Sequence, residues 1–168
     1  LVIGFLAGYV VCESQIPKIT AVSDTKAKIQ VCFSPEGNCE KLVIGAIQSA
    51  KKQILVQAYS FTSPSIAQAL IDAHNRGVTV KILFDQTQLK AHHSQIPDFQ
   101  KVGIPMKVDK VAGLAHNKII LIDHSTILTG SYNWTRAANN KNAENLLLIH
   151  DSALVRIYED NWLARYQR

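Results

Sequence analysis

The apolar positions change period several times along the chain, and each change marks an element. Lys28 to Phe33 alternates as a half-buried strand does, and Leu42, Val43, Ala46, Ile47 and Ala50 then recur at helical spacing. Ile54 to Phe61 (ILVQAYSF) is strand-like. Ser63 followed by Pro64 reads as a helix cap and first turn, with Ile66, Ala67, Leu70 and Ala73 as the apolar stripe and Gly77 as the stop. Val78 to Phe84 (VTVKILF) is a further strand, and Gln86 to Asp98 is polar and irregular. Short strands follow at Met106 to Val108, Ala115 to Ile122, Thr126 to Thr129 and Asn145 to His150, before an amphipathic helix over Ala153 to Tyr166. Alternating strands and helices imply right-handed crossovers. The expected fold class is α/β: a mixed, largely parallel sheet with helices on both faces.

A chain of 168 residues suits one domain with a substantial core. The regular patterns begin at Ala27, so residues 27–168 are expected to form the domain and residues 1–26 an apolar segment with a linker. Leu1 to Val11 (LVIGFLAGYVV) is uncharged, and too short to span a bilayer as it stands. It reads as the end of a signal peptide or of a membrane anchor, which implies an exported, periplasmic or membrane-attached protein; a buried first strand is the alternative. Cys32 and Cys39 enclose a turn-rich stretch and suit a local disulfide better than a zinc site, since four converging ligands are missing nearby. Two reduced buried thiols are the alternative. A net charge of +5 favours a polyanionic partner such as nucleic acid or an anionic membrane surface.

Candidate chemistry gathers in the second half. His116 and Lys118 stand two apart at the start of an apolar strand, so both project to one face. An imidazole beside a fixed ammonium is what attack on a phosphodiester requires, one group as nucleophile and the other stabilising charge on phosphoryl oxygens. Ser131 and Asn133 share the same spacing and offer a hydroxyl and an amide for phosphate oxygens. A Gly-Ser turn with a capping Asn is the plain structural alternative. Glu144 enters an apolar strand, where a carboxylate is costly unless paired. An imidazolium is its simplest partner.

Taken together, His116-x-Lys118 with four residues before Asp123, Gly130-Ser131-x-Asn133 and Glu144 resemble the HKD signature of the phospholipase D superfamily. The flanking runs AYSFTS, AHNKIILID, TGSYNWT and KNAENLL resemble its small bacterial Nuc-type endonucleases, from about Lys28 to the C-terminus. The resemblance implies a phospholipase D-like fold and a phosphohistidine on His116. It implies phosphate binding by Lys118 and Asn133 with support from Ser131, and orientation of His116 by Glu144. Asp123 belongs to the signature but lies at the far end of the apolar strand, and we expect it to be structural.

The chemistry calls for two imidazoles, one neutral to attack and one protonated to serve the leaving oxygen. The larger relatives carry the signature twice; this chain carries one HKD motif. A homodimer with the active site at its two-fold axis follows as the expectation. No cofactor and no metal are expected, because the acidic residues form no cluster in sequence, and His92-His93 reads as a solvated pair. The expected function is a metal-independent phosphodiesterase, a nonspecific endonuclease of single- or double-stranded DNA. A phospholipase or cardiolipin-type lipid hydrolase at a membrane surface is the first alternative, and an inactive nucleic-acid-binding protein the second.

Overall fold

The computed structural model describes the backbone of residues 19–22 and all of residues 28–168. The expectation for Leu1 to Val11 lies outside the described residues. Eight strands form one sheet in the order β1-β2-β8-β7-β6-β3-β4-β5. They are β1 (Ile19–Val22), β2 (Lys28–Ser34), β3 (Gln53–Ala58), β4 (Thr79–Phe84), β5 (Met106–Val108), β6 (Lys118–Ile122), β7 (Thr126–Gly130) and β8 (Glu144–His150). Five helices accompany them: α1 (Cys39–Ser49), α2 (Pro64–Asn75), α3 (Ile96–Lys101), α4 (Arg136–Asn140) and α5 (Ser152–Tyr166).

Period-2 alternation in β3 divides the core. Ile54, Val56 and Ala58 face the cluster built with α1 and α2, through Val43, Ile47, Ile66 and Leu70. Leu55 faces the opposite cluster, with Leu121, Ile127 and the α5 residues Val155 and Trp162. Helices therefore cover both faces. Two buried indoles also hold the β3 backbone: Trp162 Nε1 donates to the Val56 carbonyl at 3.0 Å and Trp134 Nε1 to that of Gln57 at 3.2 Å. Among the described residues no helix is long and apolar enough to cross a membrane.

The sheet is mixed, but its balance corrects the expectation of a largely parallel one. Only β3–β4 and β4–β5 pair in parallel; the five other pairings are antiparallel. Strand and helix alternate only as far as β5, after which β6 and β7 form a hairpin. Its three-residue turn places Asp123 and His124 at φ 50° and 60°, the left-handed central pair of a turn closed by the Ser125 N–H on the Ile122 carbonyl at 3.1 Å. Asp is common in such turns, but no Gly follows it, so the sequence signal is weak. A second difference is β1, which pairs antiparallel with β2 inside the stretch expected to be linker.

Cys32 at the middle of β2 and Cys39 at the start of α1 are joined by a disulfide, with Cα atoms 5.6 Å apart. It ties an edge-side strand to the helix that covers it. Breaking so short a loop should lower unfolding free energy by about 2–3 kcal/mol on loop-entropy grounds. Denaturant melts with and without reductant, beside a Cys32→Ser/Cys39→Ser variant, check this; a melt indifferent to reductant would contradict it.

Candidate active site

The parallel strands β3 and β4 end at the same edge of the sheet where β6 begins, since Ala58 pairs with Lys118 and with Phe84. His116 precedes β6 and is exposed, whereas Lys118, its first residue, is only 6% exposed. Lys118 Nζ lies 3.0 Å from His116 Nδ1 and donates to the His116 carbonyl oxygen at 2.7 Å. A charged ammonium is donor-only, so Nδ1 is the acceptor and a neutral ring carries its proton on Nε2. Burial lowers the Lys118 pKa from the ordinary lysine value, and the charge of Glu144 opposes that shift.

Tyr59 follows β3 and closes this pair from the side. Its N–H donates to the Asn117 carbonyl at 3.0 Å. Its ring centroid stands 4.2 Å from that of His116, and Lys118 Nζ lies 4.8 Å from the Tyr59 centroid.

The second part of the signature sits on the turn between β7 and α4. Gly130 has φ 154° and lies against Asn145, where a Cβ would collide with the Asn145 carbonyl oxygen. That close approach lets the Ser131 and Tyr132 N–H groups donate to the same carbonyl at 3.1 and 3.3 Å. Ser131 Oγ donates to Glu144 Oε2 at 2.5 Å, and Asn142 Nδ2 to Glu144 Oε1 at 3.1 Å. Glu144 is thus bonded to Ser131 and Asn142 rather than to His116, and acts on the first pair through its charge on Lys118. The Asn133 amide oxygen is buried without a hydrogen-bond partner. An amide oxygen is an acceptor, so the group of this side chain able to meet a phosphate oxygen is its NH2.

A match to the family model for a cardiolipin synthase, PLD-like domain covers residues 43–165. The chain belongs to the phospholipase D superfamily. A phospholipase D of Rickettsia bellii is 42% identical over 144 residues, 86% of this chain and 72% of that protein. A mitochondrial cardiolipin hydrolase of Xenopus laevis is 28% identical over 144 residues, 84% of this chain and 69% of that one. The solved structure of Nuc from Salmonella typhimurium, a phospholipase D family member, superposes with a TM-score of 0.78 at 38% identity, covering 84% of this chain and 95% of that chain. The present phospholipase D-like chain is accordingly a phosphodiesterase of that superfamily.

One supporting residue escapes the sequence reading. Asp85, fully buried at the end of β4, accepts the Ala115 N–H at 2.7 Å and the Thr87 N–H and hydroxyl at 2.9 and 2.6 Å. It pins the segment that delivers His116. Burial works against its ionisation, yet these hydrogen bonds and the charge of His116 hold its pKa below the ordinary carboxylate value. An Asp closing a strand before a helical turn is visible in sequence as a cap; its bond to Ala115, thirty residues on, is not. Behind the signature, buried Tyr132 donates to Asn139 Oδ1 at 3.3 Å, and Asn139 also accepts the Glu40 N–H at 3.0 Å. Burial, with Glu40 and Glu144, pushes the Tyr132 pKa upward, which keeps its hydroxyl a donor. A cavity of about 580 Å³ lined by Lys41, Leu42, Ala46, Leu148 and His150, among others, includes no signature residue. His92 and His93 are exposed on the loop before α3.

Asp123 stands at the other end of β6. Its carboxylate accepts the N–H groups of Lys51, Lys52 and Gln53 at 2.7, 2.8 and 2.9 Å, which joins the β6–β7 turn to the start of β3. Burial raises its pKa, but these bonds and the charge of Lys52 outweigh it and leave the pKa depressed. The stabilisation is therefore fully present above the unfolded value of about 3.9 and fades as pH falls through the folded value. Asp123→Ala should cost about 2–3 kcal/mol at neutral pH, with turnover of the folded fraction little changed. Melts of variant and parent should converge as pH falls through the depressed folded value; a constant difference down to acid pH, or loss of turnover without loss of stability, would count against this role.

Proposed function

We propose that this phosphodiesterase is a metal-independent endonuclease of DNA, working through a phosphohistidine in a homodimer. The observation that carries the reading is the contact of the buried Lys118 ammonium with the exposed His116 imidazole. Those groups suit a phosphodiester recognised through its phosphate, which carries no sequence information. The net charge of +5 and the likeness to Nuc, the kind of small bacterial nuclease that the sequence resembles, support the same substrate.

In this reading, phosphate draws Lys118 Nζ away from His116 Nδ1, which frees Nδ1 to take the ring proton. Nε2 then attacks phosphorus. The bond to the leaving oxygen breaks, and that oxygen takes a proton from His116 of the partner subunit. Lys118 and Asn133 hold the non-bridging oxygens, while Ser131 and Glu144 hold each other and the turn that carries Asn133. Water then attacks the phosphohistidine, its proton passing to the partner imidazole, and the monoester leaves. One signature per chain is the reason for the two-fold partner.

A lipid phosphodiester is the second reading. Leu114, 54% exposed, accepts the His116 N–H on its carbonyl, and Leu89, 60% exposed, lies on the turn capped by Asp85, so apolar side chains are exposed on segments that Asp85 ties together. The relatives named phospholipase D and mitochondrial cardiolipin hydrolase also fit it. Export or attachment through residues 1–11 would suit either substrate.

Plasmid and single-stranded DNA, and cardiolipin vesicles in parallel, should be offered to the protein in excess EDTA beside His116→Ala. Cutting of DNA that survives EDTA and vanishes in the variant is the expected result. Cleavage of cardiolipin alone would favour the second reading, and cutting abolished by EDTA would overturn the mechanism. In a graded mixture with His116→Ala chains, turnover should fall faster than the fraction of parent chains; strict proportionality would mean independent sites.

A further inference from the structure

We infer that Tyr59 is a positioning residue of this site, its ring face holding the Lys118 ammonium while the same ring packs at a tilt against the His116 imidazole. The inference rests on the proposed phosphodiester chemistry for its purpose, but not for its geometry. Three independent features place the ring. Ala58 pairs in register with Lys118, so the next residue of the chain emerges beside the lysine. The Tyr59 N–H donates to the Asn117 carbonyl at 3.0 Å, which fixes the backbone of Tyr59 to the residue between His116 and Lys118. The side chain then meets both partners, with Lys118 Nζ 4.8 Å from its centroid and the imidazole centroid at 4.2 Å.

The physical need comes from Lys118. An ammonium has three N–H donors. Two directions are taken by His116, through its carbonyl oxygen and Nδ1. The side chain is buried, so water offers little to the remaining face. An aromatic quadrupole at this range attracts a cation, and more strongly where water is excluded. The same ring limits rotation of His116, keeping an otherwise exposed imidazole beside the ammonium. Since the face and not the hydroxyl does this, phenylalanine should serve and leucine, similar in bulk, should not.

The groups acting on Lys118 are His116 from its own segment, Glu144 from β8 and Tyr59 from the end of β3. Both His116 and Glu144 remain in Tyr59→Phe and Tyr59→Leu, which isolates the ring. The test follows the Lys118 titration by carbon NMR of protein labelled at lysine Cε, assigned with Lys118→Arg. Losing the ring face destabilises the charged form, so the Lys118 midpoint in Tyr59→Leu should move down by about one pH unit. Tyr59→Phe should titrate with the parent. Turnover of bis(p-nitrophenyl) phosphate should fall about tenfold in Tyr59→Leu, chiefly in kcat, and within about twofold in Tyr59→Phe. A Tyr59→Leu midpoint equal to the parent's would overturn the inference, as would a Tyr59→Phe midpoint displaced as far as that of Tyr59→Leu. The titration needs no turnover, so an inert parent would refute the proposed function while the NMR still decides the role of Tyr59.

Discussion

Holding the Lys118 ammonium out of bulk water is the constraint around which the working end of the sheet is arranged. A buried charge is expensive unless its surroundings replace the lost hydration. Here the replacements come from separate strands: the His116 carbonyl and imidazole ahead of β6, the Tyr59 ring after β3, and the charge of Glu144 at the start of β8. The arrangement therefore depends on β6 lying beside β3, and on β7 bringing β8 within electrostatic reach. A lysine so placed is pre-aimed, and its charge is strong towards any phosphate that enters.

The rest of the domain can be understood as bracing for that end. Asp85 ties the segment before His116 to the end of β4. Gly130 allows the turn carrying Ser131 and Asn133 to touch β8 at Asn145, which no larger residue would permit. Tyr132, Asn139 and Glu40 link that turn to the start of α1, beside the Cys32–Cys39 disulfide. Asp123 does the corresponding work at the opposite end, stitching the β6–β7 turn to β3. Polar residues that are costly to bury thus cluster where the chain must be held in one geometry.

Local pattern made much of this legible. Ser63 and Pro64 announce α2, and the Ser63 hydroxyl does accept the Ile66 N–H at 3.3 Å; the runs around β2, β4, β5, β7 and β8 read as strands, whereas α5 forms with little of the amphipathic pattern expected of it, burying Val155 and Trp162. The signature residues could be named because their spacing is itself local. What stayed hidden was set by partners distant in sequence. The reversal from β6 into β7 depends on a hairpin turn of Asp123 and His124, whose left-handed backbone is supported by tertiary bonds instead of glycine. Helices α3 and α4 are too short to show a period. The Glu144 carboxylate found Ser131, across the β7–β8 pairing, where the sequence pointed to His116. Asp85 and Tyr59 act through contacts that only the folded sheet creates.

Family membership and site geometry agree on phosphodiester chemistry, and they leave the nucleophile as the claim on which the mechanism turns. The most direct measurement is single turnover with a 32P-labelled phosphodiester substrate, quenched in alkaline denaturant, followed by peptide mapping of the labelled protein at alkaline pH. The account predicts label on the peptide containing His116, acid-labile as a phosphoramidate is, and absent in His116→Ala. Turnover without any labelled protein, or label on a peptide lacking His116, would contradict it.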